Sequence, residues 1–379
     1  MIQEQVAVTG AGGAVGQALV HRLVGRGLAV KGLVRSQEAA RAIESLGGTP
    51  FLGDVRQPST LAPVFQGCSV VFHLAAWMPG AGTGGWKSAE EINVAGTANV
   101  VRLAAENGCR RVVHASTIAV YGPETQGVVT EDTPTRTVGD PYGDTKIEGE
   151  QTALVTAQKY GIELTILRPT MIYGPRSPSW TLAPFENISR GLPVLLGDGE
   201  GLLDAVYVDD VAQAFDLAGF NPDAAGEAFI IGNEPVTWNE FMGAYARMAG
   251  ARVRRFPAWL ARLGLWLASR LSGLVLEKPV TAPEMVGAMT SRATFSSEKA
   301  RTVLGYRPQV GLAEGMRRTR AWLREQGKLP FPSTALVTGA NGGLGRAVVQ
   351  SLDQHGLEVW AADLVETGVD DLPDGVHPI

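Results

Sequence analysis

The sequence predicts an α/β fold in which helices cover both faces of a doubly wound, parallel β-sheet. Between residue 6 and about residue 167, short apolar runs alternate with longer stretches of helical periodicity. A glycine-rich motif, Thr9-Gly-Ala-Gly-Gly-Ala-Val-Gly16, separates the first apolar run from the first helical stretch. This alternation indicates a parallel sheet, because each parallel connection needs a crossover that a helix can supply.

The predicted elements follow one another regularly in the first half of the chain. Strands are expected at residues 6–8, 30–34, 50–52, 70–74, 111–115 and 163–167. Helices are expected at 17–26, at 38–46 and around Tyr142 and Lys146. Two more apolar runs, at 205–208 and 228–231, follow after the alternation has loosened. We therefore expect a Rossmann-type core at about 1–173 and 205–235.

The remaining segments, about 174–204 and 236–325, predict a smaller, mostly helical lobe over the carboxyl ends of the strands. Substrates of doubly wound folds bind at that end of the sheet. Core and lobe together make one unit, residues 1–328. The proline-bracketed segment 329–333 is interpreted as a linker.

One segment of the lobe, residues 256–271, has a marked apolar face. Trp259 and Trp266 are seven residues apart and share one helical face, whereas Arg262 and Arg270 share another. It is interpreted either as a core helix of the lobe, or as a lid or shallow membrane contact for a lipid-like substrate. Its length and its two arginines argue against a membrane-spanning helix.

Composition and charge point to small-molecule chemistry in a reducing compartment. The net charge of −5, with 19% charged residues, gives no basic surface for nucleic acid. The two cysteines, Cys68 and Cys109, have no metal-ligand spacing and cannot build a disulfide framework. The first strand begins by about Gln5, which argues against a cleaved signal peptide. We expect a cytoplasmic protein without a metal, either free or associated with a membrane surface.

The glycine motif predicts a dinucleotide-binding turn. Gly10, Gly13 and Gly16 are spaced for a tight turn, for close approach of the backbone to a pyrophosphate, and for close packing of helix on strand. The strand before the motif and the helix after it make this interpretation much stronger than glycine spacing alone. The expected cofactor contacts in this turn are Gly10, Gly12, Gly13, Ala14, Val15 and Gly16.

The end of the second predicted strand bears on the choice between NAD and NADP. NAD-specific sites place an acidic residue there, but this sequence has Arg35, which can pair with a 2′-phosphate and stack on adenine. We therefore favour NADP(H), with NAD(H) as the alternative. Asp54 is placed to hydrogen-bond the adenine amino group.

Four residues predict the chemistry. Tyr142 and Lys146 lie on one face of a helix, so the lysine charge, with that of an oxidised nicotinamide, can lower the phenol pKa. Tyr142 could then exchange a proton at neutral pH, and Lys146 could hold the nicotinamide ribose. Ser116 and Thr117 place two hydroxyls at the carboxyl end of a predicted strand, where a substrate oxygen could receive a second hydrogen bond.

An ordered set of short motifs now resembles the extended short-chain dehydrogenase/reductases over about residues 5–327. The matching segments are 9–16, 73–76, 93–97, 116–117, 142 with 146, 167–169 and 207–211. The resemblance implies hydride transfer between nicotinamide and a carbinol or carbonyl carbon. It implies that Tyr142 exchanges the proton, Thr117 orients the oxygen with Ser116 beside it, and Asn93 supports the site. His73 is interpreted as structural. Further implied cofactor contacts are Val55, Leu74, Ala75, Ala76, Asn93, Tyr142, Lys146, Pro169 and Ile172.

Two departures from the family pattern bear on the substrate. Sugar-nucleotide enzymes of this superfamily carry an asparagine where this sequence has Met171 and an arginine where it has Leu203. Losing two contacts to the diphosphate would severely weaken the binding of a sugar nucleotide. The same segments resemble the 3β-hydroxysteroid dehydrogenase branch, including sterol-4-carboxylate 3-dehydrogenases. The expected substrate contacts are Met78, Thr117, Met171 and Leu203.

The resemblance implies an apolar, sterol-like substrate, and two alternatives stay open. Oxidation at C3 of a 4-carboxysterol would create a β-keto acid that loses carbon dioxide. The alternatives are another extended-family enzyme, such as a flavonol-type reductase or a nucleotide-sugar epimerase or dehydratase, and a catalytically silent NADP-binding sensor. A homodimer and a peripheral membrane contact are further candidate interactions.

A second glycine motif, Thr338-Gly-Ala-Asn-Gly-Gly-Leu-Gly345, opens residues 334–379. It again lies between an apolar run and a helical stretch, and Asp363 has the position that binds ribose hydroxyls and favours NAD. This segment resembles the start of a single-domain short-chain dehydrogenase, but no second Tyr-x-x-x-Lys follows it. We expect a truncated start of a second Rossmann domain, which would make the natural protein a fusion of two dehydrogenases.

Overall fold

The central sheet of the computed structural model consists of parallel strands. The structure describes residues 4–79, 85–123, 125–257, 289, 291–329, 334–354, 357–363 and 376–378. The strands up to residue 295 are β1 (Gln5–Thr9), β2 (Ala29–Val34), β3 (Thr49–Leu52), β4 (Val70–His73), β5 (Arg111–Ala115), β6 (Val128–Val129), β7 (Glu163–Pro169), β8 (Met171–Tyr173), β9 (Pro193–Leu196), β10 (Leu202–Leu203), β11 (Ala205–Tyr207), β12 (Ala228–Ile231), β13 (Val236–Thr237), β14 (Arg254–Phe256) and β15 (Thr294–Phe295).

Seven of these strands form the central sheet in the order β12-β7-β5-β4-β1-β2-β3. Every neighbouring pair in it is parallel. The chain winds outward from β1 in one direction and then returns to place β4 on the other side. This confirms the predicted doubly wound α/β fold of the Rossmann type. The reversal between β1 and β4 opens a crevice at their carboxyl ends, which is where ligands of such sheets bind.

Helices cover both faces of the sheet. The α-helices are α1 (Ala14–Gly25), α2 (Gln37–Ser45), α3 (Ala62–Phe65), α4 (Gly85–Ala89), α5 (Gly96–Glu106), α6 (Pro141–Tyr160), α7 (Ala183–Ser189), α8 (Val208–Phe220), α9 (Trp238–Met248), α10 (Leu312–Glu325) and α11 (Gly343–Gln354). Short 3₁₀ segments are Pro58–Thr60, Ile118–Tyr121 and Pro222–Ala224, and π-helical segments are Glu90–Ala95, Pro178–Leu182 and Ala300–Leu304.

The strands are buried on both sides because side chains alternate between two helical layers. In β1, Val6 and Val8 pack into the layer formed by α1, α2 and α8. Ala7, which lies between them, packs into the opposite layer with α3, α5 and α6. Alternation with a period of two therefore gives the continuous apolar runs that are typical of parallel strands.

The smaller lobe has its own aromatic core between α7, α9 and α10. The rings of Tyr173 and Phe241 meet edge to face at 5.6 Å, and Phe241 meets Tyr245 in the same way at 5.5 Å. Such pairs add to the stabilisation from burial alone. The lobe is thereby fixed against β8 and β11, the short strands that lead from the sheet toward the crevice.

Helix α6 begins and ends at residues that favour those positions. The Asp140 carboxylate accepts a hydrogen bond from Gly143 N at 2.7 Å, and Pro141 occupies the first turn. Gly161 ends the helix in the left-handed conformation, with φ of 68°. Both ends of α6 are therefore defined by residues that favour a helix start or a helix end.

A buried ion pair fastens α6 to β7. Arg168 donates from Nε and Nη2 to the two carboxylate oxygens of Glu150, at 2.9 and 2.7 Å. Arg168 Nη1 also donates to the Tyr121 hydroxyl at 2.8 Å. The Arg168 and Glu150 side chains are 10% and 6% exposed, so this pair is shielded from solvent competition.

The described residues from Thr334 onward contain a second glycine turn. Strands β16 (Thr334–Thr338), β17 (Glu358–Ala362) and β18 (Val376–Pro378) form a parallel sheet next to α11. Gly339 has φ of 68°, and Asn341 N donates to the Asp363 carboxylate at 2.7 Å. This unit has a small core of its own around Val349 and Val359.

Replacing Glu150 with Gln should destabilise the fold strongly. The substitution leaves the Arg168 guanidinium buried without its counter-charge, which typically costs about 3–5 kcal/mol. The free energy of unfolding in urea, followed by tryptophan fluorescence, measures this loss.

Glu227→Gln is the matched control, because it breaks the exposed Glu227–Lys299 pair. Surface pairs contribute about 0–1 kcal/mol, so this variant should unfold close to wild type. Equal losses in the two variants would contradict a special role of the buried pair.

Candidate functional site

The glycine turn after β1 forms a cradle that side chains would obstruct. Gly10 has φ of 67°, and a Cβ on it would lie 2.7 Å from Ala75 N. A Cβ on Gly16 would collide with the carbonyl oxygen of Gly10. Gly13 closes the turn by donating to that same oxygen at 3.0 Å. The turn therefore requires glycine at positions 10 and 16.

The cradle fits a dinucleotide pyrophosphate. Helix α1 begins immediately after Gly13, and no side chain caps it. Its first backbone N–H groups and its positive dipole end therefore point into the crevice beside β1 and β4. A pyrophosphate would satisfy these donors, as the glycine spacing predicted.

Charged side chains follow β2 and β3. Arg35 is exposed directly after β2. Asp54 follows β3, and Arg56 donates to its carboxylate from Nε at 3.0 Å and from Nη2 at 2.8 Å. These hydrogen bonds lower the pKa of Asp54, and the charge of Arg35 contributes to the same effect. The sequence analysis did not single out Arg56, although its position two residues after Asp54 could have suggested this ion pair.

The structure brings Thr117 and Tyr142 together. Thr117 follows β5, and its side-chain oxygen accepts from Ala119 N at 3.2 Å at the start of the 3₁₀ turn. Thr117 and Tyr142 line the same cavity, and Thr117 lies close enough to lower the pKa of the Tyr142 phenol. Ser116, beside Thr117, has a buried hydroxyl without a hydrogen-bond partner among the described residues. A substrate oxygen at this point would therefore meet three hydroxyl groups.

Burial governs the protonation of Tyr142 and Lys146. Burial raises the pKa of the Tyr142 phenol, and Thr117 opposes that rise. Burial also lowers the pKa of Lys146 to about 8, against the attraction of Glu150. Lys146 Nζ donates to the carbonyl oxygen of Ala115. The sequence predicted that Lys146 lowers the phenol pKa, but Lys146 is not among the groups that shift the pKa of Tyr142 here. The charge of a bound nicotinamide would have to supply that lowering.

Asn93 and His73 tie the surrounding elements together. Asn93 lies in the π-helical turn before α5, accepts from Trp77 N at 2.7 Å and donates to Thr145 Oγ1 at 3.0 Å. His73 hydrogen-bonds the hydroxyls of Thr9 and Thr97 at 2.8 and 3.0 Å. Burial lowers the pKa of His73 to about 3, so the ring is neutral and both nitrogens are occupied.

A cavity of about 690 Å³ joins the cradle to the lobe. The predicted residues that line it are Gly10, Gly12, Gly13, Ala14, Val15, Gly16, Leu74, Met78, Ser116, Thr117, Tyr142, Pro169, Met171 and Ile172. Its other walls include Trp180, Leu202 and Phe295. Its size is in the range of small-molecule sites.

Other predicted residues lie away from the cavity wall: Arg35, Asp54, Val55, Ala75, Ala76, Asn93, Lys146 and Leu203. The position of Leu203 differs from the sequence prediction for a simple geometric reason. Neighbouring residues of a strand point to opposite sides, so Leu203 packs into the lobe core and Leu202 lines the cavity. Leu202 is therefore the substrate-side residue at this strand.

The cavity also contains polar groups that sequence reasoning missed. Asp204 is 2% exposed, and its carboxylate accepts from Phe295 N at 3.3 Å. Burial raises its pKa to about 7. Thr170 lines the same cavity and has a buried hydroxyl without a partner in the described part of the chain. Asp204 could have been singled out from the sequence, because it is an acidic residue within the otherwise apolar segment of β10 and β11.

Two remaining sequence predictions concern membranes and metals. Among the described residues, no helix has the length and apolarity needed to cross a bilayer. Residues 258–288 are not among them, so the interpretation of 256–271 as a lid or membrane contact lies outside the described residues. The described ranges also hold no group of three or more His, Cys, Asp or Glu side chains arranged for a metal ion.

Comparison with known proteins gives consistent matches. The family model described as "NAD dependent epimerase/dehydratase family" matches residues 6–232. The 2-alkyl-3-oxoalkanoate reductase of Stenotrophomonas maltophilia is 32% identical over 84% of this chain and 98% of that protein. The mouse sterol-4-alpha-carboxylate 3-dehydrogenase, decarboxylating, is 29% identical over 82% of this chain and 89% of that protein. Among solved structures, MoeE5 in complex with UDP-glucose and NAD has a TM-score of 0.66 and 28% identity, covering 85% and 99% of the two chains.

Replacing Asp204 with Asn should stabilise the protein at neutral and alkaline pH. Burial raises the pKa of Asp204 from 3.8 to about 7, so the folded state binds more protons than the unfolded state between these values. Stability is therefore lost as pH rises from about 4 through about 7, and Asn cannot ionise. The difference in melting temperature should grow across this window and level off above it.

Asp198→Asn is the control, because Asp198 is an exposed residue close to the same strand. If the melting temperatures of wild type and Asp204→Asn changed in parallel between about pH 4 and pH 7, the raised pKa of Asp204 would be refuted.

Proposed function

This chain belongs to the NAD dependent epimerase/dehydratase family, and on that premise we propose that it oxidises or reduces a secondary alcohol or ketone on an apolar substrate. The proposed enzyme is an NAD(P)-dependent dehydrogenase similar to 3β-hydroxysteroid dehydrogenases. The observation that carries the proposal is the grouping of Ser116, Thr117 and Tyr142 on the wall of one cavity whose other side chains are mostly apolar. Met171, Ile172 and Leu202 supply much of that apolar wall.

The residues of the site have separate tasks in this proposal. When bound, the nicotinamide would supply the hydride acceptor for oxidation and the hydride donor for reduction. Tyr142 takes the proton of the substrate hydroxyl in oxidation and returns it in reduction. Thr117, together with the unpartnered hydroxyl of Ser116, holds that oxygen beside Tyr142. Lys146 would hold the nicotinamide ribose and stabilise the phenolate.

The relatives suggest which alcohols and ketones to test. One relative is named as a 3-dehydrogenase of a sterol 4-carboxylate, and another as a reductase of a 2-alkyl-3-oxoalkanoate. In both names the reacting carbon is bonded to the carbon that carries the carboxylate. A sterol 4-carboxylate is our first candidate. Its oxidation at C3 gives a β-keto acid, in which the bond to the carboxylate breaks, carbon dioxide leaves, and the electron pair moves to the C3 oxygen before protonation.

A 2-alkyl-3-oxoalkanoate is the second candidate substrate class. It is supported by the relative that matches over 98% of its own length. In this reaction Tyr142 would give a proton to the ketone oxygen, and the carboxylate would stay in place.

Two other interpretations have less support. A nucleotide sugar would need several polar contacts for its diphosphate, but Met171 and Leu202 are apolar, and Arg176 is the one basic side chain among the described residues that line the cavity. A cofactor-binding sensor without activity would not need Thr117 and Tyr142 on one cavity wall or the buried Ser116 hydroxyl, which has no partner among the described residues.

The cellular setting is also proposed. The free thiols of Cys68 and Cys109 are buried and unpaired, which supports a reducing, cytoplasmic location. Leu154 and Val155 on α6 are 48% and 67% exposed, and their apolar surface supports a homodimer. For residues 334–378, the Asp363 carboxylate beside the glycine turn supports a second dinucleotide site with a preference for NAD.

Replacing Tyr142 with Phe should remove activity and leave cofactor binding intact. Loss of a general acid or base typically lowers turnover by about 10²–10⁴-fold. Turnover is followed by NAD(P)H absorbance on 3β-hydroxy-4-carboxysterols, 2-alkyl-3-oxoalkanoates and UDP-sugars, and cofactor binding by NADPH fluorescence.

Tyr160→Phe is the matched control, since Tyr160 lies on the same helix and is 37% exposed. Turnover of UDP-sugars alone would refute the substrate class. An active Tyr142→Phe enzyme would refute the assigned role.

Replacing Arg35 with Ala should weaken NADP binding much more than NAD binding. Arg35 would pair with the 2′-phosphate that only NADP carries, and charge-assisted hydrogen bonds of this kind contribute about 1.5–3 kcal/mol. Titration of both cofactors by fluorescence measures the difference. Arg41→Ala removes the same charge from an exposed position on α2 and serves as control. Equal weakening of both cofactors would overturn the preference for NADP.

A further inference from the structure

Arg176 occupies a backbone position that normally belongs to glycine. Ser177 N donates to the carbonyl oxygen of Gly174 at 3.2 Å, which closes a β-turn over residues 174–177. Pro175 is its second residue and Arg176 its third, with φ of 65°. These are the features of a type II turn, whose third residue is usually glycine or asparagine. In the described part of the chain, Arg176 is the one non-glycine residue with positive φ.

The surrounding residues hold this strained turn in place. Pro175 has a fixed φ, and Pro178 begins the next short helical segment. Ser177 Oγ donates to the carbonyl oxygen of Ile172 at 2.8 Å and so ties the turn to β8. Strained residues persist only where the surrounding structure imposes them, and they cluster at ligand sites. Glycine would relieve the strain here, so the arginine side chain is retained at a cost.

Arg176 lies at the edge of the substrate cavity. It lines the same cavity as Thr117, Tyr142 and Met171 and is exposed to solvent. No other described residue forms an ion pair or side-chain hydrogen bond with its guanidinium group. The other charged residues of this wall are acidic: Asp140 is engaged as the cap of α6, and Asp204 is buried. The guanidinium is therefore a cation available to a ligand.

We infer that Arg176 binds the carboxylate of the substrate, so that the enzyme selects apolar acids whose reacting oxygen is on the carbon β to the carboxylate. This inference rests on the proposed function and names the anchor for its substrates. A guanidinium group can donate two parallel hydrogen bonds to a carboxylate, which fixes orientation as well as position. With the carboxylate held at the cavity edge, the neighbouring oxygen would face Thr117 and Tyr142.

The test compares acids with their methyl esters in three variants. Arg176→Gly removes the side chain and relieves the backbone, so the protein should melt at or above the wild-type temperature. Arg176→Lys keeps the charge and loses the two-pronged geometry. Arg190→Ala removes an exposed arginine at the end of α7 and serves as control.

Turnover gives the first readout. We expect Arg176→Gly to lower kcat/KM for a 2-alkyl-3-oxoalkanoate by about 10–100-fold, because a charge-assisted contact is lost. The corresponding methyl ester should change by less than about threefold, as for a surface substitution. The kcat/KM of Arg176→Lys for the acid should lie between the values of wild type and Arg176→Gly. Loss of the same size on acid and ester would overturn the inference.

Binding gives a second readout that needs no turnover. The probes are 2-butyloctanoic acid and its methyl ester, which have no ketone to reduce, added to the NADP⁺-bound enzyme. Wild type should bind the acid more tightly than the ester, and Arg176→Gly should bind both alike. Equal binding of acid and ester by wild type would overturn the inference.

Cofactor titration separates the other source of an anion, the pyrophosphate. Weaker NADP⁺ binding by Arg176→Gly, without a change in the preference for acid over ester, would assign Arg176 to the cofactor and overturn the inference. If wild type discriminates between acid and ester through Arg176 but turns over none of the substrates, the proposed function fails and the carboxylate site stands.

Discussion

The geometry of the site depends on the buried ion pair between Arg168 and Glu150. Glu150 lies two turns after Tyr142 and one turn after Lys146 on the same face of α6, so fixing Glu150 fixes the position of both. Arg168 reaches from β7 to this carboxylate and to the Tyr121 hydroxyl, which ends the 3₁₀ turn that begins beside Thr117. One guanidinium therefore joins the turn that follows Thr117 to the helix that carries Tyr142. Because the pair is buried, removing either partner would leave an uncompensated charge.

Close approaches that only glycine permits set the rest of the geometry. A Cβ on Gly149 would collide with the Asn93 backbone, so α6 can lie directly against the π-helical turn. Asn93 uses this contact to join Trp77, after β4, to Thr145 on α6. Gly10 allows a similar close approach in the cradle, because a side chain there would collide with the backbone that follows β4. The cradle after β1 and the hydroxyl groups after β5 thus lie on either side of β4, and backbone contacts help to determine their separation.

Much of this arrangement was predictable because it follows from local pattern. Apolar runs gave the strands of the sheet, and the glycine spacing and flanking elements gave the cradle. The spacing of Tyr142 and Lys146 placed them on one helix face, and the end of β5 placed Thr117 nearby. What escaped prediction depends on tertiary context. Whether Leu202 or Leu203 faces the cavity depends on a two-residue strand with no longer alternation to fix its register. Likewise, the burial of Asp204 and the left-handed conformation of Arg176 are imposed by packing from distant segments.

The site concentrates features that would be unfavourable anywhere else in the fold. Lys146 carries a charge that burial opposes, and the hydroxyls of Ser116 and Thr170 are buried without protein partners. Buried polar groups in native proteins are almost always hydrogen-bonded, so two unpartnered hydroxyls on the wall of one cavity favour a ligand there. The Ser116 and Thr170 hydroxyls both line the cavity that joins the cradle to the lobe. Polar atoms of a bound cofactor and substrate would satisfy them, whereas the apolar wall at Met171 and Leu202 would take up the remainder of the substrate. The rigid joint at Arg168 allows the fold to maintain this arrangement before any ligand binds, which is the condition for preorganised catalysis.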